Sequence, residues 1–223
     1  MLPDRTLLNA HSMQKEPTTA VPMLSKRAEQ AYSEPVTVGT YESIRATWVE
    51  NYQKAHVVLP YGELDTYQRM ADGLRDCQTI EDWGGGLGKL RTYLTHHQQY
   101  LLVDGCPSDF VDVVQSMEER HSQVDGVALR HVLEHNHNWE TIFRNALASA
   151  RMIVSLCVFT PFTRKATVNL ALQYGTAAPE LALPLPTLLT LAETQKARLA
   201  SLQVYAAGGL RPYPETVLTF RKI

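Results

Sequence analysis

The chain has little of what would place it outside a reducing compartment or inside a membrane. Its 223 residues include only three cysteines, Cys77, Cys106 and Cys157. They are scattered, odd in number and form no C-x-x-C pair and no disulfide framework, which suits a reducing compartment. An excess of charge of one sign is missing as well. The 21 Lys and Arg against 23 Asp and Glu leave a formal charge of −2, so no electrostatic footprint marks nucleic acid or an anionic membrane as a partner. Long hydrophobic runs are absent. The longest, Met152–Phe159, is far too short to span a bilayer, and the opening MLPDRTLLNAHSMQ lacks the apolar core of a secretory signal. There is no internal repeat and no low-complexity tract. A cytoplasmic protein with one main domain and an appendage is expected. The sequence leaves its oligomeric state open.

Regular periodicity is missing from residues 1–40, where Pro3, Pro17, Pro22 and Pro35 interrupt any helix. This stretch reads as an irregular arm that wraps over the domain or stays mobile. Residues 41–76 read as two helices forming a lid, with Ile44, Trp48, Tyr52 and Ala55 on one face and Leu64, Tyr67, Met70 and Leu74 on another. From residue 77 to 223 short strands alternate with helices, which marks a parallel sheet with crossovers.

Strands are expected over Gln78–Trp83, Tyr100–Asp104, Val111–Gln115, Val124–Arg130 and Met152–Phe159. The last is apolar throughout, as a central strand covered on both faces must be. One helix is expected around Leu87, Leu90 and Leu94 and another over Leu188–Leu199. A third carries Trp139, Ile142, Phe143, Ala146 and Leu147, with Asn138 as N-cap and Glu140 in the first turn. Residues 160–187 form a long irregular connection read as a substrate-side lid loop. Leu202–Ala206 and Val217–Arg221 read as a closing antiparallel pair.

The segment DWGGGLG falls where the first strand should end. The dinucleotide fingerprint G-x-G-x-x-G fails there because Lys89 stands in its third place. The phosphate-binding P-loop fails too, with Leu90 after Lys89 and Trp83 five places before Gly88. What remains is an acid, Asp82, then Gly84, Gly86 and Gly88 with Gly85 between them. Glycines at such a turn let the backbone approach a ligand, and the following N–H groups suit a polar or anionic group. Sixteen residues past Gly88, Asp104 closes the second strand in YLLVDG. An acid there can accept hydrogen bonds from both hydroxyls of a ribose; a solvated turn aspartate before Gly105 is the plainer alternative. Together the two features lay out an adenosine ligand across a sheet's carboxyl edge.

A competing motif is H-x-x-E-H, met in His131, Glu134 and His135 of RHVLEHNHNW, the inverted zinc-peptidase pattern. On an extended strand, at ~3.3 Å per residue, the two histidines lie about 13 Å apart. Two zinc bonds of ~2 Å do not bridge that distance, so a metal hydrolase is set aside and no metal is expected. His96, His97 and His137 read as surface or cap residues.

The run IEDWGGGLG, YLLVDGCP, VDGVALRHVLEHN and ARMIVSLCVFTPF resembles the class I S-adenosylmethionine-dependent methyltransferases. The resemblance covers Cys77 to Phe162 and extends more loosely to Ile223. It implies a doubly wound, Rossmann-like α/β fold with a seven-stranded, mostly parallel sheet of order 3-2-1-4-5-7-6. It also implies S-adenosyl-L-methionine as cofactor. Asp82, Gly84, Gly85, Gly86 and Gly88 would line its methionine end. Asp104 would hold the ribose, with Gly105 and Cys106 beside it, and Arg130 and His131 would border the sulfonium. One departure stands out. The stretch between Asp104 and Asp125 is shorter than the family's, and the acid that normally meets the adenine is replaced by Gln115, Ser116 and Met117 in VVQSMEERHS.

The expected reaction is methyl transfer to an oxygen or nitrogen of an unidentified acceptor. A small molecule is the first expectation, and nucleic acid or protein stays open. In-line attack needs the nucleophile within roughly 3–3.5 Å of the methyl carbon. A hydroxyl or protonated amine also needs a base, for which His135, His131 and Glu134 are candidates. Trp48, Tyr52 and Tyr174 are candidates to cover the cofactor or grip the acceptor. The alternative is a methyltransferase-like binding or scaffold protein without turnover.

Overall fold

The computed structural model describes residues 20–26, 42, 45, 46, 48–50, 64–170, 178–206 and 213–223. Of the residues singled out above, Pro3, Pro17, Pro35, Ile44, Tyr52, Ala55 and Tyr174 lie outside this set.

The centre of the molecule is a seven-stranded sheet. Its strands are β1 (Thr79–Trp83), β2 (Gln99–Asp104), β3 (Val113–Val114), β4 (Val124–Arg130), β5 (Ala150–Val158), β8 (Ala197–Tyr205) and β9 (Glu215–Lys222). They lie in the order β3-β2-β1-β4-β5-β9-β8. The first five are parallel, and β9 runs antiparallel between β5 and β8. Two further strands, β6 (Val168–Asn169) and β7 (Leu181–Ala182), form a separate antiparallel ribbon. This is the sheet order the resemblance implies, with β9 and β8 as its seventh and sixth strands.

The period of two along each strand divides the core between two faces. Val127, Leu129, Val154, Leu156 and Phe220 pack on one side against the helices α2 (Trp139–Ser149) and α3 (Leu185–Thr194). Ala128, Ile153, Cys157 and Val217 pack on the other against Tyr67, Met70 and Leu74 of α1 (Leu64–Gly73) and its C-terminal turn. All three cysteines are buried and free.

Several elements differ from expectation. No α-helix follows the glycine turn. A single 3-10 turn, Lys89–Tyr93, fits between left-handed Gly88 and the Thr95–Gln98 turn that leads into β2. The crossover from β2 to β3 is bare of helix, and β3 shrinks to two residues. The helix expected over Leu188–Leu199 begins at Leu185 and stops at Thr194. Lys196 takes a left-handed φ of 54°, and the leucine-rich segment after it pairs with β9, tertiary pairing overriding helix propensity. Asn138 does not cap α2 with its side chain. Its amide donates instead to Glu118 Oε2 at 3.1 Å.

Residues 22–24 dock beside β5's exit: Leu24 N–H donates to the Phe162 carbonyl and Phe162 N–H to that of Pro22, both at 2.7 Å. No helix among the described residues is long and apolar enough to cross a membrane.

Candidate functional site

The strand order reverses at β1, which lies between β2 and β4, and such switch points open a crevice at the carboxyl edge. The glycine turn lies there. Gly84, Gly86 and Gly88 have φ of 68°, 59° and 67°, a left-handed backbone that only glycine adopts without strain. Gly84 N–H donates to the Val103 carbonyl at 2.7 Å and Gly86 N–H to Asp104 Oδ2 at 3.2 Å. Cys106 N–H donates to the other Asp104 oxygen at 2.8 Å. The end of β2 is therefore tied directly to the turn after β1.

Asp82 is buried beneath this turn. Its Oδ2 accepts the Tyr100 hydroxyl at 2.7 Å, while Oδ1 has no hydrogen-bond partner among the described residues. Burial raises its pKa to about 6; the Tyr100 bond opposes that shift and the Asp104 charge adds to it. A buried acceptor left open beside a left-handed turn suits an ammonium group.

Beyond Asp104, a cavity of about 510 Å³ is lined by Arg45, Gly105, Gln115, Ser116 and Glu118 among others. Arg45 closes it by donating through Nε to the Gly105 carbonyl at 3.1 Å. Gln115 Oε1 accepts from Arg120 and Ser116 Oγ from Glu118 N–H. Met117 instead packs into the core near Gly84. Burial pushes the Cys106 thiol up to about 12, with the Asp104 charge adding to the shift.

At the end of β4, Arg130 is buried in a network the sequence reading did not anticipate. Its Nη2 donates to Glu215 Oε2 at 2.9 Å, Glu215 Oε1 at 3.1 Å and Thr66 Oγ1 at 3.2 Å, and its Nη1 to Tyr67 Oη at 3.3 Å. His131 has left the strand with a left-handed φ of 57°, and its Nε2 lies 3.3 Å from Glu215 Oε1. With that nitrogen donating to the carboxylate, Nδ1 of a neutral ring faces Arg130 Nη1 at 3.3 Å as acceptor. Burial alone would raise the Glu215 pKa, but the hydrogen bond from His131, with the Arg130 guanidinium and the Thr66 hydroxyl, brings it down to about 2.

Leu133–His135 is a 3-10 turn rather than strand, so the extended spacing expected for His131 and His135 does not apply. The two rings nonetheless have separate partners. His135 Nδ1 lies 2.8 Å from the Pro179 carbonyl. That oxygen only accepts, so the proton sits on Nδ1 and the neutral ring's lone pair on Nε2. Glu134 Oε1 accepts Phe159 N–H at 3.0 Å. The Trp48 ring stands edge-on to His135 with centroids 5.2 Å apart, and Phe159 lies 5.0 Å from His131 and 5.3 Å from His135. His131, Cys157 and Glu215 offer ligand atoms within 4.8 Å of one another. Both Glu215 oxygens already accept from the Arg130 guanidinium.

Solved structures share this architecture. A Burkholderia thailandensis 1,6-didemethyltoxoflavin-N1-methyltransferase, crystallised with 1,6-didemethyltoxoflavin and S-adenosylhomocysteine, superposes with a TM-score of 0.64 at 16% identity, over 85% of this chain and 93% of that one. The chain has the class I S-adenosylmethionine-dependent methyltransferase fold. The N-terminal domain of EvdMO1 with S-adenosylhomocysteine bound gives a TM-score of 0.56 at 11% identity, over 80% of this chain and 97% of that one. Mitomycin 7-O-methyltransferase gives 0.53 at 16% identity, over 80% and 60%. No family model and no curated protein matches the sequence.

Thr66, Tyr67, Tyr100 and Glu215 are the site residues that sequence reasoning missed. Tyr100 alone carried a local signal, since it lies on the same strand as Asp104 and points back toward Asp82 across the β1–β2 pairing.

Proposed function

We propose that the chain is an S-adenosylmethionine-dependent methyltransferase acting on an oxygen or nitrogen of a small-molecule acceptor. The observation that carries this reading is the bond from Gly86 to Asp104, which sets a left-handed glycine turn and a strand-end carboxylate side by side at the sheet's switch point. In this assignment Asp82 and the glycines 84, 85, 86 and 88 hold the cofactor's amino-acid end. Asp104 takes the ribose hydroxyls, with Gly105 and Cys106 beside it. Gln115 and Ser116, which border the cavity beyond Asp104, receive the adenine in place of the family's acid. When bound, the cofactor supplies a methyl group already activated by its sulfonium.

The protein's work is then to align the acceptor, exclude water and take a proton where the acceptor carries one. His135 is the base in this reading, because the Pro179 carbonyl fixes its tautomer with Nε2 as the proton-accepting nitrogen. His131 and Glu134 hold the edge together, the first through Glu215 and the second through Phe159 N–H. Trp48 and Phe159, packed on the His135 ring, form the apolar approach for the acceptor.

Calorimetric titration with S-adenosylhomocysteine tests the cofactor assignment, and micromolar binding is expected. Absence of binding at millimolar ligand would remove the reading. Labelled methyl transfer into a panel of small phenols and amines separates an enzyme from a binding protein without turnover.

A further inference from the structure

The cations near the carboxyl edge of β1, β2 and β4 are not equivalent, and Arg45 among them is engaged with the Gly105 carbonyl at the far side of Asp104. Arg130 is neutralised by both oxygens of Glu215. Arg91 pairs with Asp112 at 2.9 Å. Lys89 directly follows Gly88, at the point where the glycine turn passes into the 3-10 turn. Among the described residues it has no carboxylate within ion-pair distance, and its ammonium makes no hydrogen bond. It is half-buried, and Nζ lies 5.8 Å from the centroid of the Tyr67 ring. That ring is itself fixed by Arg130 Cζ at 4.1 Å and by Tyr93, stacked at 5.6 Å. A fixed aromatic face thus holds an ammonium without a counter-ion beside the turn.

The acids nearby make such a cation necessary. Asp82 and Asp104 both lie buried at this turn, and any carboxylate brought beside them is repelled in proportion to its desolvation. The amino-acid end of the cofactor carries one. Asp82 suits its ammonium but opposes its carboxylate, and Arg130 has no charge to spare.

We propose that Lys89 binds the carboxylate of the cofactor's amino-acid end and is the cation that makes this acidic turn accept it. The proposal rests on the methyltransferase reading and deepens it. The test uses the full chain and two ligands in calorimetry. S-adenosylhomocysteine carries the amino-acid end, whereas 5′-deoxy-5′-methylthioadenosine keeps the adenine, ribose and thioether without it.

For Lys89→Met, which retains an unbranched stem, a loss of about tenfold or more in S-adenosylhomocysteine affinity is expected, with methylthioadenosine binding unchanged and so reporting an intact fold. Lys89→Arg should recover most of the loss, and the difference between the two ligands should narrow as salt is raised. A loss shared equally by both ligands overturns the proposal, as does an unchanged affinity for S-adenosylhomocysteine. If the wild-type chain binds neither ligand, the methyltransferase reading fails and the proposal falls with it.

Discussion

Gly86 and Asp104 meet through a single 3.2 Å hydrogen bond between the turn after β1 and the tip of β2. Asp104 also accepts Cys106 N–H, so its carboxylate is held in place by two backbone donors before any ligand arrives. Preorganisation of this kind lowers the ordering cost of binding.

Asp104→Asn should therefore keep the fold and lose the site. The amide retains one acceptor for Cys106 but turns a donor toward Gly86 or the ribose. S-adenosylhomocysteine affinity is expected to fall ~10- to 100-fold, the value of one or two charge-assisted hydrogen bonds. Calorimetry beside a thermal melt checks both halves, and a variant that binds normally would detach Asp104 from the cofactor.

Gly85 is confined by contact rather than by φ. A Cβ there would collide with the Asp82 carboxylate and come within 2.6 Å of Leu102 Cδ1. Gly85→Ala is expected to cost about 1–3 kcal/mol in urea denaturation through overpacking, and to weaken cofactor binding by displacing Asp82.

Asp82 gives a pH signature of its own. Its folded pKa of about 6 lies above the ordinary 3.8, so the folded state holds the proton more tightly than the unfolded chain. Stability from this group is complete below pH 4 and declines as pH rises through 6, by up to roughly 3 kcal/mol. Asp82→Asn lacks that decline. Its unfolding free energy relative to wild type should rise between pH 4 and 6 and then level, measured by urea midpoints at several pH values.

Glu215 behaves in the opposite sense. Its folded pKa of about 2 lies below 4.5, so its contribution is complete above pH 4.5 and lost as pH falls through 2. Glu215→Gln strands Arg130 without a buried counter-charge and should cost ~3–5 kcal/mol at neutral pH. The deficit should shrink in acid, and a constant deficit at pH 2.5 and pH 7 would argue against an electrostatic origin.

His135→Ala should separate chemistry from binding. If the acceptor loses a proton during transfer, turnover falls ~10²- to 10⁴-fold while S-adenosylhomocysteine binds as before. Loss of binding alone would make the ring a wall of the cofactor site.

Much of this was legible in the letters. The glycine turn and Asp104 announce themselves because each is a local signal at a strand end, and β4 begins and ends where alternation and composition put it. The rest depends on partners far away in sequence. Nothing near Glu215 marks it as the counter-charge of Arg130, 85 residues earlier, since that meeting follows from β9 running antiparallel to β5. The helix expected after the glycine turn failed because periodic leucines say nothing of the space left between Gly88 and β2. Ala197–Leu199 carries the helical leucine spacing of the preceding segment for the complementary reason, its strand character coming from pairing with β9, whereas Leu202–Tyr205 is strand as expected.

The position of β9 bears on how the molecule comes into being. It follows the sheet's other strands in chain order, yet it lies inside the sheet, with β5 on one flank and β8 on the other. Until β9 has emerged during synthesis, β8 has no neighbour to join and the Arg130 guanidinium no buried anion. The sheet edge around Arg130 therefore sets only once β9 is in place, and a polypeptide cut short before Glu215 is left with a gap where its charge network should close.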